Sequence, residues 1–264
     1  ALALQRRGVD TRALQKAIRS AGACAIFAWA PRRMDAWERP PEPACASRIR
    51  DEFCGWLSYN FDLGLGVFGT GSMSCKLSAD EMIFCPMSAA PRGIEVPLQR
   101  IPLHPEGHED AADLRLHRLI YTRTPFKACM LAASPLATAE AMAALVAATG
   151  IEALLQASEP RRRPAGEHPM VVPIDAESIY YKVRLPVASI HDLAVDAGAD
   201  IVPGLLQTGN GCGLIAGWGV LSAGEEHLGQ AAYRLSLAER IARFRLEVDL
   251  NHRLFGTPPL TAFE

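Results

Sequence analysis

The sequence lacks the local signatures of several large enzyme classes. No Gly-Lys-Ser or Gly-Lys-Thr follows a glycine-rich loop, and neither G-x-S-x-G nor H-E-x-x-H occurs. These absences leave no local indication of a P-loop, a serine hydrolase or a zincin. The seven cysteines are an odd number and form no C-x-x-C pair. That pattern favours reduced, mostly buried thiols in a cytoplasmic protein over a disulfide framework.

The sequence also lacks a strong charge and a long apolar run. Its 27 Lys and Arg residues nearly balance 29 Asp and Glu residues, which argues against a nucleic-acid binder held by phosphate neutralisation. The longest apolar run, residues 21–30, is shorter than the roughly 20 residues that a membrane span needs. With 264 residues, 49% of them apolar, the chain can bury a sizeable core. We therefore expect a globular protein with neither nucleic acid nor membrane as a partner.

The first 46 residues are predicted to form an arm separate from the main domain. Leu14 and Ile18 lie at helical spacing within residues 10–20, which predicts a short helix. Four prolines in residues 31–43 exclude a regular helix there. We interpret this Pro- and Arg-rich stretch as a surface linker, with an arm lying on the body or on a partner subunit as the alternative. Residues 47–264 are predicted to form one domain.

Helical and strand patterns alternate along the rest of the chain. Helices are predicted at 47–60, 110–121, 135–149 and 190–197, with a last long helix after 225. Strands are predicted at 73–77, 81–87, 128–131, 170–174 and 179–185, with a strand pair at 213–221. The first two strands flank turn residues and are expected to form a hairpin. Ser222 and Glu225 form a capping-box pattern that is expected to open the last helix. The interleaving predicts an α/β or mixed α+β fold built in layers.

Two polar segments are candidate ligand sites. Residues 69–74 (GTGSMS) form a glycine- and hydroxyl-rich turn entering a strand. The N–H groups of such a turn can hold an anion, although a plain turn is the alternative. Glu109, Asp113 and His117 are spaced four apart and so share one helix face. This face could bind a divalent metal, or it could be an exposed polar face that ends in a hydrogen-bonded histidine.

The order of five segments resembles the class II aldolase and adducin family, the fold of fuculose-phosphate aldolase and ribulose-phosphate 4-epimerase. The segments are residues 63–74, 82–88, 113–125, 128–139 and 214–224. The resemblance implies a three-layer α/β/α fold with a central, largely antiparallel sheet. It also implies a small-molecule substrate or ligand, anionic ones included, and a homo-oligomer, by family analogy a homotetramer.

The resemblance further implies the residues of a site. Asp113 takes the place of the family's acid/base glutamate, one methylene shorter, and is the expected catalytic residue. Ser72 stands where the family's phosphate loop has asparagine. The positions implied for binding a ligand or an anion are Gly69, Thr70, Gly71, Ser72, Ser74 and Ser88.

Three positions implied as metal-binding histidines carry other residues. They are Leu131, Ala133 and Trp218, and none of these side chains can donate an electron pair to Zn²⁺ or Fe²⁺. The sequence therefore predicts no metal at the family site. A divalent metal held by Glu109, Asp113 and His117 is the alternative. Trp218 either fills the space of the missing imidazoles or forms the floor of an altered pocket.

Three functions remain open. The first is a divergent lyase that acts on a small carbonyl or carboxylate metabolite without the usual metal, with Asp113 as proton carrier. The second is a non-catalytic pseudoenzyme that serves as an assembly or ligand-binding protein. The third is a family-related oxygenase, which would need iron. An open cleft holding Asp113, Ser72 and Trp218 would favour an enzyme, whereas a cavity filled by Trp218 and Leu131 would favour the pseudoenzyme.

Overall fold

The protein is described by a computed structural model that covers residues 45–65, 71–87, 98–104, 112–150, 168–175, 178, 183–189, 193 and 198–256. The predicted N-terminal arm lies outside these residues, apart from 45 and 46. Four predicted site residues also lie outside them: Gly69, Thr70, Ser88 and Glu109.

Five helices and eight strands make up the described residues. The helices are α1 (Cys45–Asp62), α2 (Ala112–Arg123), α3 (Pro135–Thr149), α4 (Gly198–Thr208) and α5 (Leu228–Phe255). The strands are β1 (Gly71–Lys76), β2 (Glu81–Pro86), β3 (Gln99–Pro102), β4 (Ala128–Ala132), β5 (Met170–Val171), β6 (Leu185–Ser189), β7 (Cys212–Ala216) and β8 (Gly219–Gly224). Among the helices described, none is long and apolar enough to cross a membrane.

The strands form one sheet in the order β3-β2-β1-β4-β8-β7-β6-β5. Every neighbouring pair is antiparallel except β6 and β7, which are parallel. The predicted hairpin is confirmed, since β1 pairs with β2 across the turn that follows Lys76. The predicted pair at 213–221 is confirmed as β7 and β8. The sheet is thus largely antiparallel, as predicted.

Helices cover both faces of this sheet and make three layers. Strand side chains alternate between faces, so Met73 and Cys75 of β1 pack in the cluster that includes residues of α1, α3 and α5. Residues of α2 and α4, such as Ile120 and Val202, pack on the opposite face with Leu131. The predicted three-layer α/β/α arrangement is confirmed.

A buried carboxylate ties two helices together. Glu239 of α5 is 8% exposed. It accepts hydrogen bonds from the backbone N–H groups of Leu136 (3.2 Å) and Ala137 (3.0 Å) in the first turn of α3, and from the Ser134 hydroxyl. The first N–H groups of a helix have no partner within it. A negative charge at this end also interacts favourably with the helix dipole. Ser134, at the N-cap, makes no side-chain cap itself, so Glu239 is the cap.

Several local predictions were wrong. The strand predicted at 179–185 overlaps β6 only at Leu185, because residues 183 and 184 are not in a strand; residues 179–182 lie outside the described residues. The capping-box pattern does not open α5, because Ser222 lies in β8 and pairs with Cys212 on one side and Met130 on the other. Two ladders of backbone hydrogen bonds outweigh a local cap, and α5 begins at Leu228 after His227.

Two elements were missed by sequence reasoning. Strand β3 has only four residues, and α4 contains Pro203, which normally argues against a helix. The helix predicted at 190–197 lies outside the described residues apart from Leu193, so that prediction remains untested. The thiols of Cys54, Cys75, Cys85, Cys129 and Cys212 are free.

Candidate functional site

Asp113 lies in the first turn of α2 and is almost completely buried, with 4% of its surface exposed. The N–H of Leu114 donates to its Oδ1 at 2.9 Å, and the side chain of Ser72 also hydrogen-bonds the carboxyl group. Burial disfavours the charged form and raises the pKa of Asp113, although these hydrogen bonds oppose the rise. A carboxyl group that is raised in pKa and fixed in position is suited to general acid–base work.

One helical turn later, His117 is fully buried and both of its ring nitrogens have partners. Its Nε2 lies 2.9 Å from the Ser72 hydroxyl oxygen, and its Nδ1 lies 2.5 Å from that of Ser74. The Phe84 ring meets the imidazole at 85°, edge against face. Burial lowers the pKa of His117 to about 3. The imidazole is therefore neutral at ordinary pH, so one nitrogen donates a hydrogen bond and the other accepts one.

Tyr121, after one further turn of α2, extends this set of contacts. Its phenol oxygen lies 2.6 Å from the Ser74 hydroxyl oxygen. The side chains of Asp113, Ser72, His117, Ser74 and Tyr121 therefore form one continuous series of hydrogen bonds, here called the hydrogen-bonded row. At its far end the ammonium group of Lys76 donates to the backbone carbonyl of Tyr121 at 2.8 Å. Lys76 therefore supports the C-terminal part of α2.

The row forms because two backbone periods nearly match. Residues four apart on a helix are separated by about 6 Å along its axis, and residues two apart on a strand by about 6.6 Å. The side chains of helix residues 113, 117 and 121 can therefore alternate with those of Ser72 and Ser74 of β1. Sequence reasoning identified the shared face of Asp113 and His117 but missed Tyr121 and the partner strand. The signal that could have revealed them is the pair of small hydroxyl residues at strand spacing, read against polar residues at helix spacing.

The two described hydroxyl groups of the predicted anion-binding turn already have hydrogen-bond partners within the row. Ser72 and Ser74 are fully buried and their hydroxyl groups bond His117. Gly71 has a φ of +132°, and a Cβ atom there would collide with the Leu131 carbonyl oxygen. Its lack of a side chain lets β1 lie close to β4. An anion at this turn would have to be held by other groups.

The predicted metal positions do not fit a metal. Leu131 is fully buried in the apolar cluster on the α2 face, and Trp218 packs against the same cluster. Leucine and alanine side chains offer no lone pair, and the indole nitrogen of Trp218 is a donor only. Among the described residues, no group of three His, Cys, Asp or Glu side chains is placed to hold a metal ion. Of the alternative set, His117 already uses both ring nitrogens, and Glu109 is not described.

Among the described residues, the side chains of the row are buried, as is Leu131 beside them. Ser72 and Leu131 are opposite each other in the β1–β4 pair, and neither is exposed. A cleft of about 510 Å³ lies away from the row, beside α5, and its lining includes Tyr233 and Arg234. Arg234 is already paired with Glu225 at 2.7 Å and bonds the Ala223 carbonyl. None of the predicted site residues that the structure describes lines this cleft.

Comparison with known proteins agrees with this architecture. A family model described as the Class II Aldolase and Adducin N-terminal domain matches residues 54–246. The solved structure of l-fuculose-1-phosphate aldolase from Thermus thermophilus is 19% identical, with a TM-score of 0.56 over 80% of this chain and 97% of that chain. YgbL from Klebsiella pneumoniae is 20% identical, with a TM-score of 0.56 over 82% and 95%. A sugar-phosphate aldolase from Thermotoga maritima is 14% identical, with a TM-score of 0.51 over 82% and 100%.

No curated protein matches the chain significantly. At identities of 20% or less, the likeness to the solved structures establishes the fold alone.

Proposed function

Because the chain belongs to the class II aldolase and adducin family, matched over residues 54–246, we propose that it is a lyase-type enzyme that uses Asp113 to move a proton. The substrate class is a small carbonyl or carboxylate metabolite. Two of the structural relatives are a fuculose-phosphate and a sugar-phosphate aldolase, so phosphorylated sugars are the first compounds to test. The observation that carries the proposal is the buried Asp113 carboxyl with its raised pKa.

The proton transfer follows from the properties of that carboxyl group. As a carboxylate, Asp113 accepts the proton of a substrate hydroxyl group. The adjacent C–C bond then breaks, the hydroxyl carbon becomes a carbonyl, and the bonding electron pair stays on the carbon next to the second carbonyl or carboxylate group. The protonated Asp113 returns its proton to that carbon. A raised pKa helps the carboxyl group to hold the proton until it is returned.

The family's metal has no part in this scheme. In the family, a divalent ion stabilises the enediolate, but the side chains of Leu131, Ala133 and Trp218 provide no ligand for one. No step is therefore assigned to a metal here.

A non-catalytic role is the second candidate, and one observation favours it. Leu131 is fully buried and Trp218 packs against the same apolar cluster, so apolar side chains occupy two of the positions that the resemblance assigns to the metal. Filling such a space avoids the cost of a cavity. A protein of this kind would bind a ligand or a partner chain without transforming it. A homotetramer, as the family resemblance implies, is proposed for either role, and light scattering of the purified protein tests it.

Exchange of carbon-bound hydrogen in heavy water separates the two candidates. Aldol cleavage, decarboxylation and epimerisation through a carbanion all pass protons to or from the carbon next to a carbonyl. The native protein is incubated in D₂O with sugar phosphates, 2-keto acids and hydroxy acids, and deuterium incorporation is followed by NMR. We expect incorporation into at least one compound, and a loss of about 10²- to 10⁴-fold in Asp113→Asn, the usual contribution of a general acid or base.

The control variant lies away from the row. Asp51→Asn, at an exposed position on α1, should exchange as fast as the native protein. Exchange that persists in Asp113→Asn would overturn the role of Asp113. Absence of exchange with every compound, together with saturable binding of one of them, would replace the lyase with the ligand-binding protein.

A further inference from the structure

We propose that His117 changes tautomer with the protonation state of Asp113, because the hydrogen-bonded row reverses its direction when Asp113 gains a proton. His117 is then a positioning residue that stabilises Asp113 both as an acid and as a base. The use of this switch in catalysis rests on the proposed function, but the switch itself depends only on the geometry of the row.

Consider first the ionised carboxylate. A carboxylate only accepts hydrogen bonds, so Ser72 gives its single hydroxyl hydrogen to Asp113. The oxygen of Ser72 then accepts from His117, whose proton must be on Nε2. Since a neutral imidazole carries one N–H, Nδ1 accepts, and Ser74 donates to it. Tyr121 in turn donates to Ser74. All hydrogen bonds in the row then point toward Asp113.

A proton on Asp113 reverses every bond. The carboxylic acid has an O–H to donate, and the Oδ1 atom already accepts the N–H of Leu114, so the acid hydrogen can be given to Ser72. Ser72 then turns its hydrogen to His117 Nε2, which has to be unprotonated. The imidazole proton lies on Nδ1 and is donated to Ser74, and Ser74 donates to the phenol oxygen of Tyr121. The row now points away from Asp113.

The two states differ by one proton. In the change from base to acid, Asp113 gains a proton, while the imidazole keeps a single proton that is now on Nδ1 in place of Nε2. The hydroxyl groups of Ser72, Ser74 and Tyr121 keep their hydrogens and only reorient them. No imidazolium is needed in either state, which agrees with a pKa for His117 of about 3. In both states every hydrogen-bonding group of Ser72, His117 and Ser74 that belongs to the row has a partner, which avoids a costly unpaired group. The hydroxyl hydrogen of Tyr121 is donated to Ser74 only in the base state, so in the acid state this hydrogen has no partner within the row.

Among the described residues, few other titratable groups lie near the row. On β1, Lys76 contacts the backbone of Tyr121 rather than its phenol. The Cys75 thiol on β1 and the Cys129 thiol on β4 both interact electrostatically with Tyr121, and burial raises the pKa of both thiols well above the usual range. On α2, Arg118 points away from the row and donates to the Pro102 carbonyl at 2.8 Å. On β2, the uncharged Phe84 ring packs against His117. Among the described side chains, Asp113 is thus the group whose charge sets the direction of the hydrogen bonds in the row.

The tautomer of His117 can be measured directly. In protein labelled with ¹⁵N at histidine, protonated and unprotonated ring nitrogens resonate at well separated frequencies, and His117→Gln assigns the signals. Between pH 9.5 and pH 4.5 we expect the signals of His117 to change from the Nε2–H to the Nδ1–H tautomer, in a single transition and without an imidazolium signal. The midpoint should be the pKa of Asp113 itself, measured from its ¹³C-labelled carboxyl carbon.

Two variants test the link between the residues. Asp113→Asn carries an amide that can donate to Ser72 at every pH, so His117 should remain in the Nδ1–H tautomer throughout. Ser72→Ala removes the connection, so the tautomer of His117 should no longer depend on pH in this range. Asp51→Asn should behave like the native protein.

The contrary results are equally specific. An unchanged tautomer in the native protein while the carboxyl carbon of Asp113 titrates would overturn the inference, as would the same tautomer in native protein and Asp113→Asn at pH 9.5. If Ser72→Ala does not fold, the native titration and Asp113→Asn decide the matter. The measurement needs no substrate, so the switch can be present in an inactive protein, and a failure of the proposed lyase activity is recognised separately in the deuterium experiment.

Discussion

Ser72 and Leu131 are paired across β1 and β4 on the face that α2 covers. The first belongs to the hydrogen-bonded row, and the second belongs to the apolar cluster beside it. The boundary between polar and apolar packing therefore runs between these two residues. On its apolar side are Leu131 and Trp218, two of the three positions that family resemblance assigns to metal ligands.

The first prediction concerns metal content. Protein purified without chelators should contain far less than one Zn, Fe, Mn, Co or Ni per subunit by mass spectrometry, because Leu131, Ala133 and Trp218 offer no lone pair to a metal. The triple variant L131H/A133H/W218H, if it folds, should gain one Zn²⁺, since it restores three imidazoles. A stoichiometric metal in the native protein would contradict the prediction. Its loss in His117→Gln would then locate it on α2.

The second prediction concerns Asp113 and stability. Its pKa is raised in the folded protein, so the fold holds this proton more tightly than the unfolded chain does. Ionisation of Asp113 therefore destabilises the folded protein. This destabilisation is absent below the ordinary pKa of 3.8 and complete above the folded-state pKa. Asp113→Asn does not ionise. Its free energy of unfolding relative to the native protein should therefore be higher at pH 8 than at pH 4 in urea titrations. A difference that does not vary with pH, or that has the opposite sign, would exclude the raised pKa.

The third prediction concerns His117. Its pKa falls from 6.5 to about 3 on folding, so between these values only the unfolded chain is protonated. Within this window His117 should lower the stability of the native protein as pH falls, by up to about 1.4 kcal/mol per pH unit, whereas Asp113 acts in the opposite direction. His117→Gln should show a correspondingly shallower dependence between pH 6 and pH 4. His104→Gln, at an exposed position, is the control. An equal slope in native protein and His117→Gln would mean that the imidazole is protonated in the fold.

The fourth prediction concerns two glycines with opposite expected effects. Gly71→Ala should lower the free energy of unfolding by about 2 kcal/mol or more, because φ is +132° and the new Cβ atom meets the backbone of β4. Gly55→Ala is the matched control on α1, where a Cβ atom meets nothing within 4 Å. It should stabilise the protein by about 0.5–1 kcal/mol through helix propensity. Equal effects at both positions would show that β1 does not approach β4 as described.

The sequence predicted more of the fold than of the site. Periodicity predicted α2 and the β1–β2 hairpin, because each is specified by local spacing. It did not predict that α2 packs along β1, since no local pattern encodes which helix covers which strand. Asp113 and His117 were therefore placed on one face, but the serines between them were interpreted as ligand-binding residues. Their position inside the row becomes visible only in three dimensions.

Local patterns also failed where long-range pairing was stronger. The capping-box residues Ser222 and Glu225 suit a helix start, yet Ser222 lies between two paired strands. Pro203 suits a helix end, yet α4 continues past it. In both places long-range packing outweighs a local preference, for a helix cap or against a proline within a helix, that is worth about 1–3 kcal/mol.

The Glu239 cap has a consequence for how the chain folds during its synthesis. Ser134 and Glu239 are 105 residues apart in sequence, so α3 emerges from the ribosome long before the carboxylate that completes its first turn. Until α5 is made and docked, the N–H groups of Leu136 and Ala137 can bond only water. Nascent chains that stop before α5 should therefore be protease-sensitive around residue 135, and protection should appear only when the last helix is released.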